Sequence, residues 1–235
     1  MSYRFRKFGT IAVALFFLVS AADRAPDQLA AGEFSVADAY YRQVVMTVLH
    51  EGYAEDVRLR MLATSVLGED LVGFRIRGQE FQVFVLRPKI ALSSYVTLRD
   101  LKKGDIMPPK SLPLDTADYI KELEASLPRD YRDVPVEKCV APLNERIARR
   151  LLAVWERALR NINPSPPPDE RVVLDGGDFH FWVKGEKELA GHVYAPDSKW
   201  RSHQLAGIGS ELYKFCKSPT AAGAKELERL ADELQ

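Results

Sequence analysis

Apolar and polar positions along this chain follow two periods, and the switch between them marks the predicted elements. One apolar run obeys neither. Gly9 to Val19 is almost wholly apolar, preceded by Arg4, Arg6 and Lys7 and followed by the small residues Ser20, Ala21 and Ala22. A basic, an apolar and a small-residue region in that order are the pattern of an export signal. The run from Phe8 to Ala22 is about 15 residues, short of the roughly 20 that cross a bilayer as a helix. Residues 1–22 are therefore expected to be a signal peptide, with an uncleaved N-terminal anchor as the alternative. Residues 23–33 have no apolar period and read as a flexible leader, so order is expected from Phe34.

Beyond that point Ser35 with Asp38 three residues on forms a capping-box pattern. Tyr41, Val44, Val45, Val48 and Leu49 then fall on one helical stripe that runs to Gly52. The period then shortens: Val57–Val66, Leu71–Ile76 and Phe81–Leu86 are β-branched and aromatic runs separated by Gly68-Glu69-Asp70 and Arg77-Gly78-Gln79-Glu80. These predict an antiparallel meander with helices on one side. Ile90 to Pro113, with prolines at 108, 109 and 113, reads as a surface excursion with little regular structure.

Asp115 is placed to cap a helix holding Ile120, Leu123 and Leu127, which Pro128 ends. The strongest helical pattern follows, with Leu143, Ile147, Leu151, Trp155 and Leu159 four residues apart, Pro142 in the first turn and Cys139 in the lead-in. Arg146, Arg149, Arg150, Arg157 and Arg160 alternate with Glu145 and Glu156 and predict a solvated face rather than a phosphate site. Pro164, Pro166, Pro167 and Pro168 define an extended connector. Val172–Leu174, Phe179–Val183 and Leu189–Tyr194 suggest a second small sheet. Leu205, Ile208, Leu212 and Phe215 form a helix that delivers Cys216 to the core. Leu227, Leu230 and Leu234 make the last helix.

The whole chain balances 33 basic against 33 acidic residues. Removing the three basic residues of the signal leaves 30 against 33, near −3. Such a mixed surface lacks the basic stripe that nucleic acid requires. The 46% hydrophobic content suffices for a full core. Export gives the two cysteines a meaning, because oxidising compartments favour disulfides. No CxxC spacing or nucleophile motif surrounds Cys139 or Cys216, and a Cys139–Cys216 bridge is predicted. Closing a loop of about 78 residues would restrict the unfolded chain by about 4.5 kcal/mol on the chain-entropy account.

No phosphate loop, GxSxG elbow, HExxH helix or paired CxxC knuckle occurs, which lowers the expectation of an enzyme. Polar and aromatic residues concentrate late in the chain, from Asp175 to His203. His180 and His192 with Asp175 or Asp178 are the candidate catalytic groups, since two imidazoles and a carboxylate can pass a proton or bind a metal. A hairpin with Val183 opposite Glu188 would turn the two histidines to opposite faces, and ordinary sheet histidines are the expected reading. Asp175-Gly176-Gly177-Asp178 reads as a turn in preference to a calcium loop. Trp182, Tyr194 and Trp200 are the candidate binding residues, able to line a groove for sugar or peptide but expected more simply in the core. No cofactor and no metal site is predicted.

Trp155, Asp175-Gly176, His180-Phe181, Gly191, Tyr194-Ala195-Pro196, Leu205 and Cys216 together resemble an uncharacterised family of exported bacterial proteins. The resemblance covers about residues 139–216 and extends more faintly to the meander around 53–89. It implies a bacterial envelope protein with a cysteine pair and brings no catalytic residues with it. The expectation is an α+β protein with antiparallel sheet packed by helices. It has an N-terminal helix and meander over 34–113 and a helix, sheet and helix unit over 114–235 stapled by the disulfide, with one continuous domain as the alternative. The expected role is a periplasmic or secreted non-catalytic protein-interaction protein with an envelope protein partner, touching membrane only through its signal or an uncleaved N-terminal anchor. The alternative is an envelope hydrolase using His180 or His192.

Overall fold

The computed structural model describes residues 29–32, 39–65, 68–108, 115–162, 177–196, 198 and 200–234. The signal segment, the capping box at Ser35 and Asp38, Pro109, Pro113, the proline connector, Val172–Leu174, Asp175 and Gly176 lie outside them. Order begins earlier than Phe34. Strand β1 (Ala30–Ala31) joins the sheet and Leu29 beside it is fully buried, so this part of the expected leader is built into the fold.

Helix α1 (Ala39–Val48) buries Val44, Val45 and Val48 along the predicted stripe, and a 3-10 turn (His50–Tyr53) follows it. The meander is present as β2 (Val57–Ser65), β3 (Gly68–Arg77) and β4 (Glu80–Pro88), all antiparallel. Glu69, expected in a break, lies inside β3 and is buried.

The expected excursion after β4 contains a helix, α2 (Ser93–Lys103), closed by Gly104 in the left-handed conformation at φ 77°. Its N-terminal cap comes from another element: Glu69 accepts from the backbone N–H of Leu92 at 2.8 Å and of Ser93 at 3.1 Å. A distant carboxylate leaves no local capping pattern to read, which is why the helix is invisible to periodicity. Helix α3 (Thr116–Ser126) is capped as predicted, with Asp115 accepting from Asp118 N–H at 2.8 Å.

Cys139 and Pro142 lie in a strand, β5 (Val136–Leu143), and not in the approach to a helix. Helix α4 (Glu145–Arg160) starts after Asn144, whose side chain accepts from Arg146 N–H at 2.9 Å; Leu143 belongs to the strand. Ile147, Leu151, Trp155 and Leu159 are buried, and Trp155 meets Phe181 edge to face at 5.6 Å. The arginine face is satisfied by carboxylates, Arg146 by Glu228, Arg149 by Glu145, Arg150 by Asp232 and Arg160 by Glu156. β6 (Asp178–Lys184) and β7 (Glu188–Tyr194) form a hairpin, followed by α5 (Arg201–Lys217) and α6 (Ala221–Glu233).

The hairpin makes no second sheet. It pairs β6 with β2, giving one seven-stranded sheet of order β1-β7-β6-β2-β3-β4-β5. Helices cover both faces, a correction to the one-sided expectation. On one face β-strand residues such as Met61, Phe74, Val85 and Phe181 pack with α4, α5 and α6. On the other Leu62, Leu71, Phe84, Leu86 and Trp182 pack with α1, α2 and the end of α3. Burial on both sides explains why β2 to β4 read as nearly continuous apolar runs. Each fully buried Leu or Phe contributes about 2 kcal/mol. The disulfide Cys139–Cys216 is present and ties β5 to α5.

Candidate functional site

The hairpin register determines what the histidines can do. Val183 stands opposite Leu189 and Lys184 opposite Glu188, one residue away from the expected pairing. The Gly185-Glu186-Lys187 turn sets this register. Gly185 lies against Glu156 of α4, where any Cβ would meet the carboxylate at 2.5 Å. The shift makes His180 and His192 direct cross-strand partners on the face covered by α1 and α2, with rings stacked 6.1 Å apart. The expectation that they point to opposite faces is therefore overturned, because a one-residue slip inverts every side chain.

His180 is 6% exposed. His192 has Nδ1 2.9 Å from the carbonyl of Gly32, so Nδ1 carries the proton and the ring anchors the chain beside β1. Asp178 opens β6 two residues from His180, opposite Tyr194 on β7 and Thr64 on β2. Asp175, the other candidate carboxylate, lies outside the described residues. His203 is exposed on α5, in the helical layer on the opposite side of the sheet, and does not join the pair.

Tyr41 of α1 donates to Glu69 Oε1 at 3.1 Å, and Glu69 also receives the two backbone N–H groups that start α2. Burial pushes the Glu69 carboxyl up despite those donors. Burial, and then the Glu69 charge, push the Tyr41 phenol far above its ordinary value. These two groups bind α1, β3 and α2 together.

The candidate binding aromatics are dispersed. Trp182 is 9% exposed, covered by the Arg60 guanidinium 3.9 Å above its ring. Tyr194 is exposed at the end of β7, and Trp200 precedes α5. Trp182 therefore offers no face to a sugar. Among the described residues no group of three or more His, Cys, Asp or Glu is placed to hold a metal ion, and no helix is long and apolar enough to cross a membrane.

The surface that sequence reasoning missed is β5, the outermost strand of the sheet beside β4. Pro142 lacks an N–H and is tolerated in an edge strand where that group would face outward. By alternation Lys138 and Val140 also turn their backbone groups outward. Val140 is 50% exposed. The strand is held by the disulfide, by the Lys217–Glu137 pair to α5 and by the Lys138–Glu51 pair to the 3-10 turn. The only local signal was Val136 to Leu143 itself, masked by the four-residue spacing that carries Leu143 into the helical stripe. A cavity of about 300 Å³ lined by Val48, Leu86, Val134, Val136 and Lys138 among others lies beside it.

Comparison of this chain with protein-family models, with curated proteins and with solved structures finds no match.

Proposed function

We propose that this is an exported, non-catalytic protein-interaction protein of the bacterial envelope that receives an extended segment of its partner along β5. The observation that carries the reading is a sheet edge that no other described strand pairs with, where alternation turns the amides of Lys138 and Val140 outward beside the exposed Val140 side chain. Strand addition uses such an edge, main-chain hydrogen bonds giving affinity and side-chain pockets giving selectivity. Charges and proline guard many edges against non-specific pairing. Here Pro142 closes one end, which confines addition to the Val136–Val140 stretch. Export is supported by the N-terminal pattern and by the disulfide, which persists in oxidising compartments.

The test is capture from envelope extract by the wild-type protein and by Val140→Pro. The substitution removes one outward N–H, so folding is expected to persist, as cooperative urea unfolding would report. The expected outcome is a partner retained by the wild type and lost by the variant. Capture of nothing, or equal capture by both, removes the reading.

The juxtaposed imidazoles keep an envelope hydrolase as a second reading, with His180 or His192 as base and Asp178 or Asp175 as its carboxylate. It requires turnover of cell-wall fragments that disappears in both His180→Ala and His192→Ala; absence of turnover by the wild type eliminates it.

A further inference from the structure

Alternation along β5 ties its unpaired edge to a cavity. The carbonyl of Pro135 accepts from the backbone N–H of Lys89 at 2.9 Å across the β4–β5 ladder. Opposed residues in such a ladder alternate between bonded and non-bonded pairs. Glu137, Cys139 and Ala141 therefore direct their backbone groups to β4, while Val136, Lys138 and Val140 turn theirs away from it. The side chains divide in the same way. Cys139 and Ala141 lie on the face packed by α5, and Val136 and Lys138 on the face of α1 and the 3-10 turn, where Lys138 meets Glu51.

The cavity of about 300 Å³ beside β5 opens on that second face. Its floor is apolar and closed: Val48 of α1, Leu86 of β4 and Val134 are 8%, 3% and 5% exposed. Val136 and Lys138 form the wall on the β5 side, and the exposed His50 and Arg132 complete the lining. The charges there are already matched, Lys138 by Glu51 and Arg132 by Asp130 at 2.5 Å. A charged occupant would have to displace one of these partners, whereas an apolar one only removes water from the floor. The volume is at the lower end of what a separate ligand fills and suits one large side chain.

In a strand added beside β5, a residue facing one with outward backbone groups carries its side chain on the same face, with the Cβ atoms about 5 Å apart. The residues that offer the hydrogen bonds are thus the ones that line the cavity. We propose that the cavity is the specificity pocket of the β5 edge, and that the partner's extended segment fills it with one large apolar side chain, aliphatic or aromatic, at the position beside Val136 and Lys138. The inference rests on strand addition at β5 and adds the residue by which the partner is chosen.

The test pans a phage library of random octapeptides on the immobilised wild-type protein and then measures the enriched peptides in solution by fluorescence anisotropy. Enriched peptides are expected to hold Leu, Ile, Met or Phe at one fixed position and to lose affinity for Val140→Pro, which removes an outward N–H and leaves the cavity intact. Alanine at the fixed position of the peptide is expected to weaken binding to the wild type at least about tenfold. The same change is expected to alter binding to Val136→Trp less than about twofold, because the indole already occupies the cavity. No enrichment, or equal binding by the wild type and Val140→Pro, overturns strand addition and this inference together. Binding that Val140→Pro abolishes, but that fixes no position, fixes a charged or small residue, or shows the same alanine loss in Val136→Trp, overturns the pocket alone. Should Val136→Trp fail to unfold cooperatively in urea, Val136→Ala enlarges the cavity instead. Panning on it is expected to move the fixed position to Phe or Trp, and an unchanged preference overturns the pocket.

Discussion

Glu69 concentrates three tasks in one side chain: it caps α2, accepts from Tyr41 and sits buried in β3. Glu69→Ala would leave the Leu92 and Ser93 N–H groups unpaired and is expected to cost about 2 kcal/mol in urea unfolding. Its ionisation also has a sign. The folded carboxyl is raised above its ordinary 4.5, mainly by burial. Between 4.5 and the folded value the native state therefore keeps a proton that the unfolded chain has released. Stability contributed by this group falls as pH rises through that window and levels off above it. Glu51 runs the other way, lowered chiefly by its hydrogen bond from Lys138, so its contribution is lost as pH falls below 4.5. Subtracting the Glu69→Gln profile from the wild-type profile isolates the first effect; a flat difference between pH 4.5 and 8 would contradict it. Gly73 is equally exacting for a steric reason. A Cβ there would lie 2.2 Å from the Leu59 carbonyl oxygen, and Gly73→Ala is expected to cost about 3 kcal/mol in the same assay.

Among elements, β5 depends most on what lies outside it. Its hydrogen bonds run to β4 on one side only, and the Cys139–Cys216 bridge fastens it to α5. Replacing both cysteines by serine is expected to lower stability by an amount on the order of 4.5 kcal/mol, less any contribution the reduced chain recovers. The loss should be uneven. Hydrogen exchange is expected to accelerate most in β5, with β2 and β3 keeping more of their protection, because those two are paired on both sides. Uniform acceleration would mean that the edge and the centre open as one unit. The same dependence explains what could be read in advance. α4 was legible because its apolar spacing and arginine face are written in consecutive residues. β5 was not, since Leu143 and Ile147 continue one four-residue rhythm across the strand–helix junction. Likewise α2 was missed because its cap sits 23 residues away at Glu69.

At the scale of the molecule, the sheet interleaves distant parts of the chain. β6, from beyond the proline connector, pairs with β2, and β5 pairs with β4. Both helical layers therefore rest on strands from both segments. Neither residues 29–108 nor residues 115–234 alone should form a stable unit. Expressed separately, each is expected to lack a cooperative urea transition, which mixing the two should restore. Cooperative unfolding of either fragment by itself would show that the interleaved pairing is dispensable.

The α+β class, the meander, the stripes of α1, α4, α5 and α6, the Asp115 cap and the cysteine pair are all legible in the order of the residues, which also singles out His180 and His192. Periods, caps and the chemistry of a residue type are local properties, present in the order of the residues. Only folding brings the seven described strands into one sheet, lays helices on both of its faces and sets the two histidines on a shared face. It also leaves β5 at the edge of the sheet, paired with β4 alone. Each of these depends on which distant residue supplies a hydrogen bond or a steric limit, and that is fixed only when the strands find their register.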